Sequence, residues 1–309
     1  MSTVRLADGR RLAFTEYGRG DGFPVMYLHG AIGSPLRRND ELDVATDELG
    51  LRLIFVQRPG FGESDKQSGR TLLDFAGDIE EVADALSLDR VGVVGVSAGG
   101  PYAVACAHRL PKRITAAAAV SSLSPLCAPA NVPGLPARIR LPLRAIAAAP
   151  GAATRAGDAA LSFVAKHPSL LLHAMAVGAP PADKSHLADG ATSHGVVQAF
   201  LAATGGGIGG LVEDHLITSR PWGFDLGEVE GEVHVWHGMH DAFVPVEHAL
   251  QLVAALPNCR AWLNPGEGHF FFRRKVREIL GALAQTNSAT SASTRARMSS
   301  RISRTTSIG

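Results

Sequence analysis

Short apolar runs separated by longer amphipathic stretches set the rhythm of the first half of the chain. Residues 25–28, 51–56, 91–96 and 114–120 are such runs, each of strand length. Between them, residues 42–49 and 71–86 carry helical spacing; in the longer stretch Leu72, Phe75, Ile79, Val82, Ala83 and Leu86 recur at threes and fours. Strands that lack polar alternation and take turns with helices predict a mostly parallel sheet covered on both faces. Ahead of them, residues 4–6 and 11–17 flank Asp8-Gly9 and predict an opening hairpin, with 18–23 as a turn. Asp74, Asp78, Glu80, Glu81 and Asp84 fall mostly off the apolar face of the 71–86 helix and are expected to meet water.

From residue 121 the rhythm changes. Pro125, Pro129, Pro133, Pro136 and Pro142 interrupt the chain, and the sequence to about Pro221 is Ala-rich with a helical pattern. Strand-like runs resume at 233–237 and 260–263. This predicts a core over 1–123, an inserted helical cap over 124–221, the remainder of the core over 222–283, and a disordered Ser/Thr/Arg-rich tail over 284–309.

Composition narrows the function classes. The chain has 309 residues, 46% of them hydrophobic and 19% charged, as in a globular fold with a sizeable core. Thirty basic residues face 29 acidic ones, and no basic stripe with interleaved aromatics occurs, so a nucleic-acid partner is not expected. Cys106, Cys127 and Cys259 form neither a CxxC pair nor an even set and are expected to be reduced, buried thiols. The N-terminal MSTVRLADGRR lacks the apolar core of a secretory signal, and no transmembrane segment is expected, which points to a cytoplasmic address.

The chemistry concentrates at Gly95-Val96-Ser97-Ala98-Gly99-Gly100, at the end of the 91–96 run and before a helical stretch opened by Pro101. Glycines on both sides of a serine at a strand-to-helix joint let the side chain stand clear of the sheet edge, the arrangement of a nucleophile elbow. A hydroxyl needs a base, and the base needs an orienting group. In a parallel sheet these belong on loops at the carboxyl ends of later strands. The loop after 233–237 contains one carboxylate, Asp241, and the loop after 260–263 one histidine, His269, giving the order Ser97, Asp241, His269. Asp225 precedes its strand and Glu247 falls in the helix after Pro245, while Glu267 is expected to face water. His234, His237 and His240 suggest a metal by spacing, but 234 and 237 lie on opposite faces of a strand, so no metal or other cofactor is expected. The turn after His29-Gly30 places Ala31, with Ala98, as backbone N–H donors to an oxyanion, and the His29 side chain is expected to be structural.

Together the hairpin, His29-Gly30-Ala31, the Arg58-Pro59-Gly60-Phe61-Gly62-Glu63-Ser64 turn, the serine elbow, the 238–245 segment and Gly268-His269 resemble the α/β-hydrolase fold superfamily over about residues 3–283. The resemblance implies an eight-stranded, mostly parallel sheet with a helical cap after strand six and a site between the two. Gln57 stands where an aspartate is often found, and the Gly-Gly-Pro-Gly loop of the prolyl aminopeptidases of this fold is absent. A serine at the elbow argues against the dehalogenases and epoxide hydrolases of the same fold, whose nucleophile is a carboxylate.

The expected activity is a serine hydrolase acting on an ester-like bond of a small apolar molecule. Leu170-Leu171-Leu172 and Phe200-Leu201 make the cap apolar, which either an apolar acyl or alcohol pocket or packing of the cap on itself would require, and Gly205 to Gly210 forms a link or hinge. The same triad would serve carbon–carbon hydrolysis or cofactor-free perhydrolysis, and a non-catalytic small-ligand-binding module is the reading from a different class.

Overall fold

The computed structural model describes residues 1–31, 33, 40–125 and 137–288. Its strands are β1 (Ser2–Arg5), β2 (Arg11–Gly18), β3 (Phe23–Leu28), β4 (Leu51–Val56), β5 (Val91–Val96), β6 (Ile114–Val120), β7 (Val233–Gly238) and β8 (Cys259–Asn264). They form one sheet in the order β1-β2-β4-β3-β5-β6-β7-β8. Every pairing from β4 to β8 is parallel, and β2 runs antiparallel to both β1 and β4. The carboxyl ends of β5, β6, β7 and β8 therefore share one edge.

Alternation along each strand explains why the central runs are apolar throughout. Val91 and Val93 of β5 enter one core with Leu72, Phe75 and Ile79 of α2 (Leu72–Ala85), Tyr102 and Val104 of α3 (Gly100–Arg109), and Leu252 of the Glu247–Ala255 helix. Val94 and Val96 enter the opposite core with Leu42 of α1 (Asp40–Glu48) and Ile279, Leu280 and Leu283 of the helix over 276–288. Both faces of the central strands are thus desolvated, at about 25 cal/mol per Å² of apolar area. The α2 helix starts where its sequence can cap it: Thr71 and Asp74 exchange side-chain-to-backbone hydrogen bonds in a capping box.

Among the described residues, six α-helices lie between β6 and β7: α4 (Ala137–Ala148), α5 (Pro150–Lys166), α6 (Pro168–Ala176), α7 (Pro181–Ala188), α8 (Gly190–Ala203) and α9 (Gly209–Thr218). Three open with proline in the first turn, where the missing N–H costs nothing. The end of α8 and the start of α9 reach loops at the carboxyl edge of the sheet. Gly62 N–H donates to the Ala203 carbonyl at 3.1 Å, and a Cβ on Gly210 would lie 2.5 Å from the Gly60 oxygen. Ile208 N–H donates to Asp158 at 2.7 Å. The glycine run expected as a link or hinge is therefore, over 207–210, a closely packed joint.

Some local expectations need revision. The hairpin's first strand begins two residues earlier than expected. Asp78 is buried, not solvated: Arg10 clamps it at 2.6 and 3.1 Å, because this side of α2 faces the β1–β2 hairpin. Burial pushes the Asp78 carboxyl up, against the pull of Arg10. Glu81 accepts the Ala7 N–H at 2.6 Å. Helix runs through residue 288; 289–309 and Cys127 lie outside the described residues. Cys106 is buried, its thiol pushed up to about 12 by burial, and Cys259 is half-buried.

Candidate active site

Ser97 terminates β5 in a left-handed backbone conformation, φ +55°, strain of about 1–3 kcal/mol that the surrounding turn must hold in place. The flanking glycines make that turn possible. A Cβ on Gly95 would overlap the Gly99 carbonyl, and one on Gly99 would overlap the Leu28 carbonyl at the end of β3. A 3-10 turn over Ser97–Gly99 then feeds α3, with Pro101 in its first turn. The 29–31 loop passes beside the serine: a Cβ on Gly30 would stand 3.2 Å from Ser97 Cβ and 3.8 Å from its Oγ. Ser97 and Ala31 are half-buried and Ala98 is buried.

Asp241 follows β7 and is fully held. Its Oδ1 accepts the Phe243 and Val244 N–H groups, each at 2.8 Å, and its Oδ2 accepts from His269 Nδ1 at 2.7 Å. His237 stands 3.7 Å from the same Oδ2 and donates Nε2–H to the Val244 carbonyl at 2.9 Å. His269 is 6% exposed. Burial disfavours its charged ring, but the Asp241 charge and hydrogen bond, with Asp183 behind them, outweigh burial and raise its pKa above the ordinary imidazole value. For His237 burial wins and the pKa is lowered.

The Ser121 hydroxyl, at the end of β6, donates to the His269 carbonyl at 3.0 Å. Since β6 is the neighbour of β5, this bond holds the histidine backbone one strand from Ser97. The structure thus joins Asp241 to His269 directly and sets Ser97, Ala98 and Ala31 together at the adjoining strand ends. It records no hydrogen bond between Ser97 and His269.

Two carboxylates from the inserted helices reach this region unannounced by any sequence pattern. Asp183 of α7 accepts the His269 N–H at 2.8 Å and the Phe270 N–H at 2.9 Å. Asp214 of α9 is buried against Arg58, Arg70 and the Tyr102 hydroxyl, with Arg58 at 2.7 Å and Tyr102 at 2.7 Å. Burial pushes its carboxyl up, but the two guanidinium groups prevail and hold it low. Arg58 also donates to the His29 and Gly30 carbonyls and stacks on Phe61 and Tyr102. An inserted helix is thereby tied to the loop that flanks the serine. Arg58 belonged to a motif visible in the sequence; its partner, 156 residues away, carried no signal.

The other residues weighed from the sequence have local partners. His29 Nε2 accepts the Arg58 N–H at 3.2 Å, so Nδ1 carries the proton and donates to the Gly30 carbonyl at 2.8 Å. Burial, reinforced by Arg58, lowers the pKa of this ring to about 3. Gln57 Oε1 accepts the Glu63 N–H at 2.9 Å and so shapes the 57–64 turn. Asp225 caps the short turn before β7, and Glu267 pairs with Arg274. His234 turns to Glu232 at 2.7 Å, away from the partners of His237. Among the described residues no group of three or more His, Cys, Asp or Glu could hold a metal, and no helix is long and apolar enough to cross a membrane.

An apolar cluster adjoins His269. Met175, Leu187, Val196 and Phe270 pack together, with Leu171, Leu172 and Phe243 against them. Phe243 and Phe270 each lie 5.3 Å from the His269 ring, centroid to centroid. Leu170, by contrast, is exposed.

The family profile of the alpha/beta hydrolase fold matches residues 24–274. A non-heme chloroperoxidase of Streptomyces lividans is 33% identical over 155 residues, 48% of this chain and 55% of the relative. A proline iminopeptidase of Xylella fastidiosa is 32% identical over 111 residues, 35% of each. The chain therefore spans about half or less of the length of these curated relatives. Among solved structures, the enol-lactonase of Burkholderia xenovorans superposes with a TM-score of 0.69 at 16% identity, covering 93% of this chain and 100% of that one. Sheet order, serine elbow and family profile agree: this chain belongs to the α/β-hydrolase fold family.

Proposed function

We propose that the protein is a serine hydrolase that cleaves a small, apolar ester through an acyl-enzyme. The observation that carries this reading is the Asp241–His269 hydrogen bond of 2.7 Å, made at the same edge of the sheet as a serine held at φ +55°. With Nδ1 engaged by Asp241, His269 keeps Nε2 to accept the Ser97 proton. Ser97 Oγ attacks the carbonyl carbon, and the backbone N–H groups of Ala31 and Ala98 stabilise the oxyanion. Collapse expels the alcohol, which takes its proton from His269. Water then attacks the acyl group, gives its proton to His269, and Ser97 is released as the acid leaves. The Phe243 and Phe270 rings beside His269 favour an apolar substrate, and the six inserted helices act as a cap over the site.

A second reading keeps the same machinery and replaces water by hydrogen peroxide, so that the acyl-enzyme yields a peracid. It is favoured by the likeness to the chloroperoxidase. Peptidase work has a comparable likeness, to the proline iminopeptidase, but the loop after His29-Gly30 reads Ala-Ile-Gly-Ser and not Gly-Gly-Pro-Gly, which argues against it.

Turnover of p-nitrophenyl butyrate by the parent and by Ser97→Ala tests the proposal. The expected outcome is turnover by the parent and a loss of at least about 10³-fold in kcat in the variant. Equal rates would remove Ser97 from the chemistry. Adding hydrogen peroxide with a carboxylic acid, and measuring peracid, separates the second reading from the first.

A further inference from the structure

A general base is useful only if its ring cannot drift. The Asp241 hydrogen bond fixes one atom of His269 and leaves the backbone that carries it undetermined. Two further bonds determine it: the Ser121 hydroxyl on the His269 carbonyl at 3.0 Å and the Asp183 carboxylate on its N–H at 2.8 Å. Asp183 is completely buried. Its other oxygen accepts the Phe270 N–H at 2.9 Å, and the carboxylate fills the space where a side chain on Gly268 would stand. Glycine before His269 is therefore required by a residue 85 positions earlier.

Asp183 lies in the first turn of α7, where a carboxylate ordinarily serves its own helix. Here it serves a different element. One turn later, Leu187 packs with Phe270 in the apolar cluster, so a single face of α7 presents both a charge and an apolar anchor to the segment carrying the base. We propose that Asp183 is a positioning residue for His269: docking of α7 fixes the backbone of the base and sets a second negative charge beside its ring, coupling the inserted helices to proton transfer. This rests on the reading of His269 as the base.

The charges around the ring give the coupling a sign. Asp241 faces it from the loop after β7, His237 from β7 itself and Asp183 from α7. Of these, both carboxylates favour the imidazolium formed when Ser97 gives up its proton. Burial raises the Asp183 carboxyl against the pull of its two backbone N–H partners, so its charge acts at pH above its own titration. His186, Arg273, Arg274 and Glu267 stand farther out, around α7 and the turn it meets. Neutralising Asp183 removes one of the two favourable charges, so His269 must titrate at lower pH. A clip that merely fastened the helices would leave this titration unchanged.

Asp183→Asn is the test, with p-nitrophenyl butyrate kinetics over pH 5–9 and a 15N-resolved NMR titration of the His269 ring. The proposal expects kcat to fall on the order of ten- to a hundredfold with KM little changed, as for a misplaced base. It also expects the acid limb of kcat/KM and the ring titration to move to lower pH. A variant that loses thermal stability while keeping the parent's kcat, acid limb and ring titration overturns the proposal. Should Asp183→Asn fail to fold, amide exchange in the parent decides: His269 and Phe270 N–H groups protected to the level of the sheet core support it, and exchange at loop rates refutes it. A parent with no Ser97-dependent turnover would fault the reading of the site, whereas the ring titration would still report whether Asp183 acts on His269.

Discussion

Asp241 divides its oxygens between two tasks, and the division decides what a substitution there does. Oδ1 is anchored by two backbone N–H groups and Oδ2 accepts the hydrogen bond from His269 Nδ1–H. In Asp241→Asn, the anchored side would keep its carbonyl oxygen, leaving an NH2 against Nδ1 and favouring the wrong tautomer. The expected loss in kcat is on the order of 10⁴. In the parent, the raised pKa of His269 puts the acid limb of kcat/KM above about 6.5, the ordinary imidazole value, and in the variant that limb moves down. The linked stability has the opposite slope to that of a carboxylate. The pair stabilises the fold fully below the unfolded imidazole pKa, and the contribution is lost as pH rises through the folded value. A pH–rate profile of both proteins checks the kinetic claim. Ser97, Asp241 and His269 could be singled out in the sequence because each stands alone of its kind on a strand-end loop. Asp183 could not, because nothing in a helical pattern says which distant backbone a first-turn carboxylate will meet.

At the scale of elements, the strands were legible within one or two residues at most ends, since continuous apolar runs bounded by turns admit few alternatives. The inserted helices were not resolved one from another. Pro142, read as an interruption, sits inside a helix, while Pro150, Pro168 and Pro181 open three others. Proline marks a first helical turn as readily as it ends a helix, and sequence spacing alone does not separate the two. What holds α9 to the core is also tertiary: Asp214 with Arg58, Arg70 and Tyr102. Removing the carboxylate leaves two buried guanidinium groups facing each other. Asp214→Ala is therefore expected to cost about 3–5 kcal/mol, measured by urea unfolding, with the larger share of the damage near the 29–31 loop that Arg58 holds. A cost under about 1 kcal/mol would mean that the network is solvated.

For the molecule as a whole, the parallel sheet is what brings residues 97, 241 and 269 to one edge. Consecutive strands end on one edge, so each loop brings its side chain there without a long excursion of the chain. Two carboxylates from the inserted helices then brace that edge, Asp214 through Arg58 behind the serine and Asp183 behind the histidine. The site is thus assembled from both parts of the fold, which the sequence, read segment by segment, presents as separate. Labelling with a fluorophosphonate, followed by peptide mapping by mass spectrometry, tests this convergence most directly, because the reagent bonds only to a serine whose proton is being withdrawn. The account predicts one adduct, on Ser97, forming at least about 10³-fold more slowly in His269→Ala. An adduct on another residue, or labelling of Ser97 at the same rate in that variant, would contradict it.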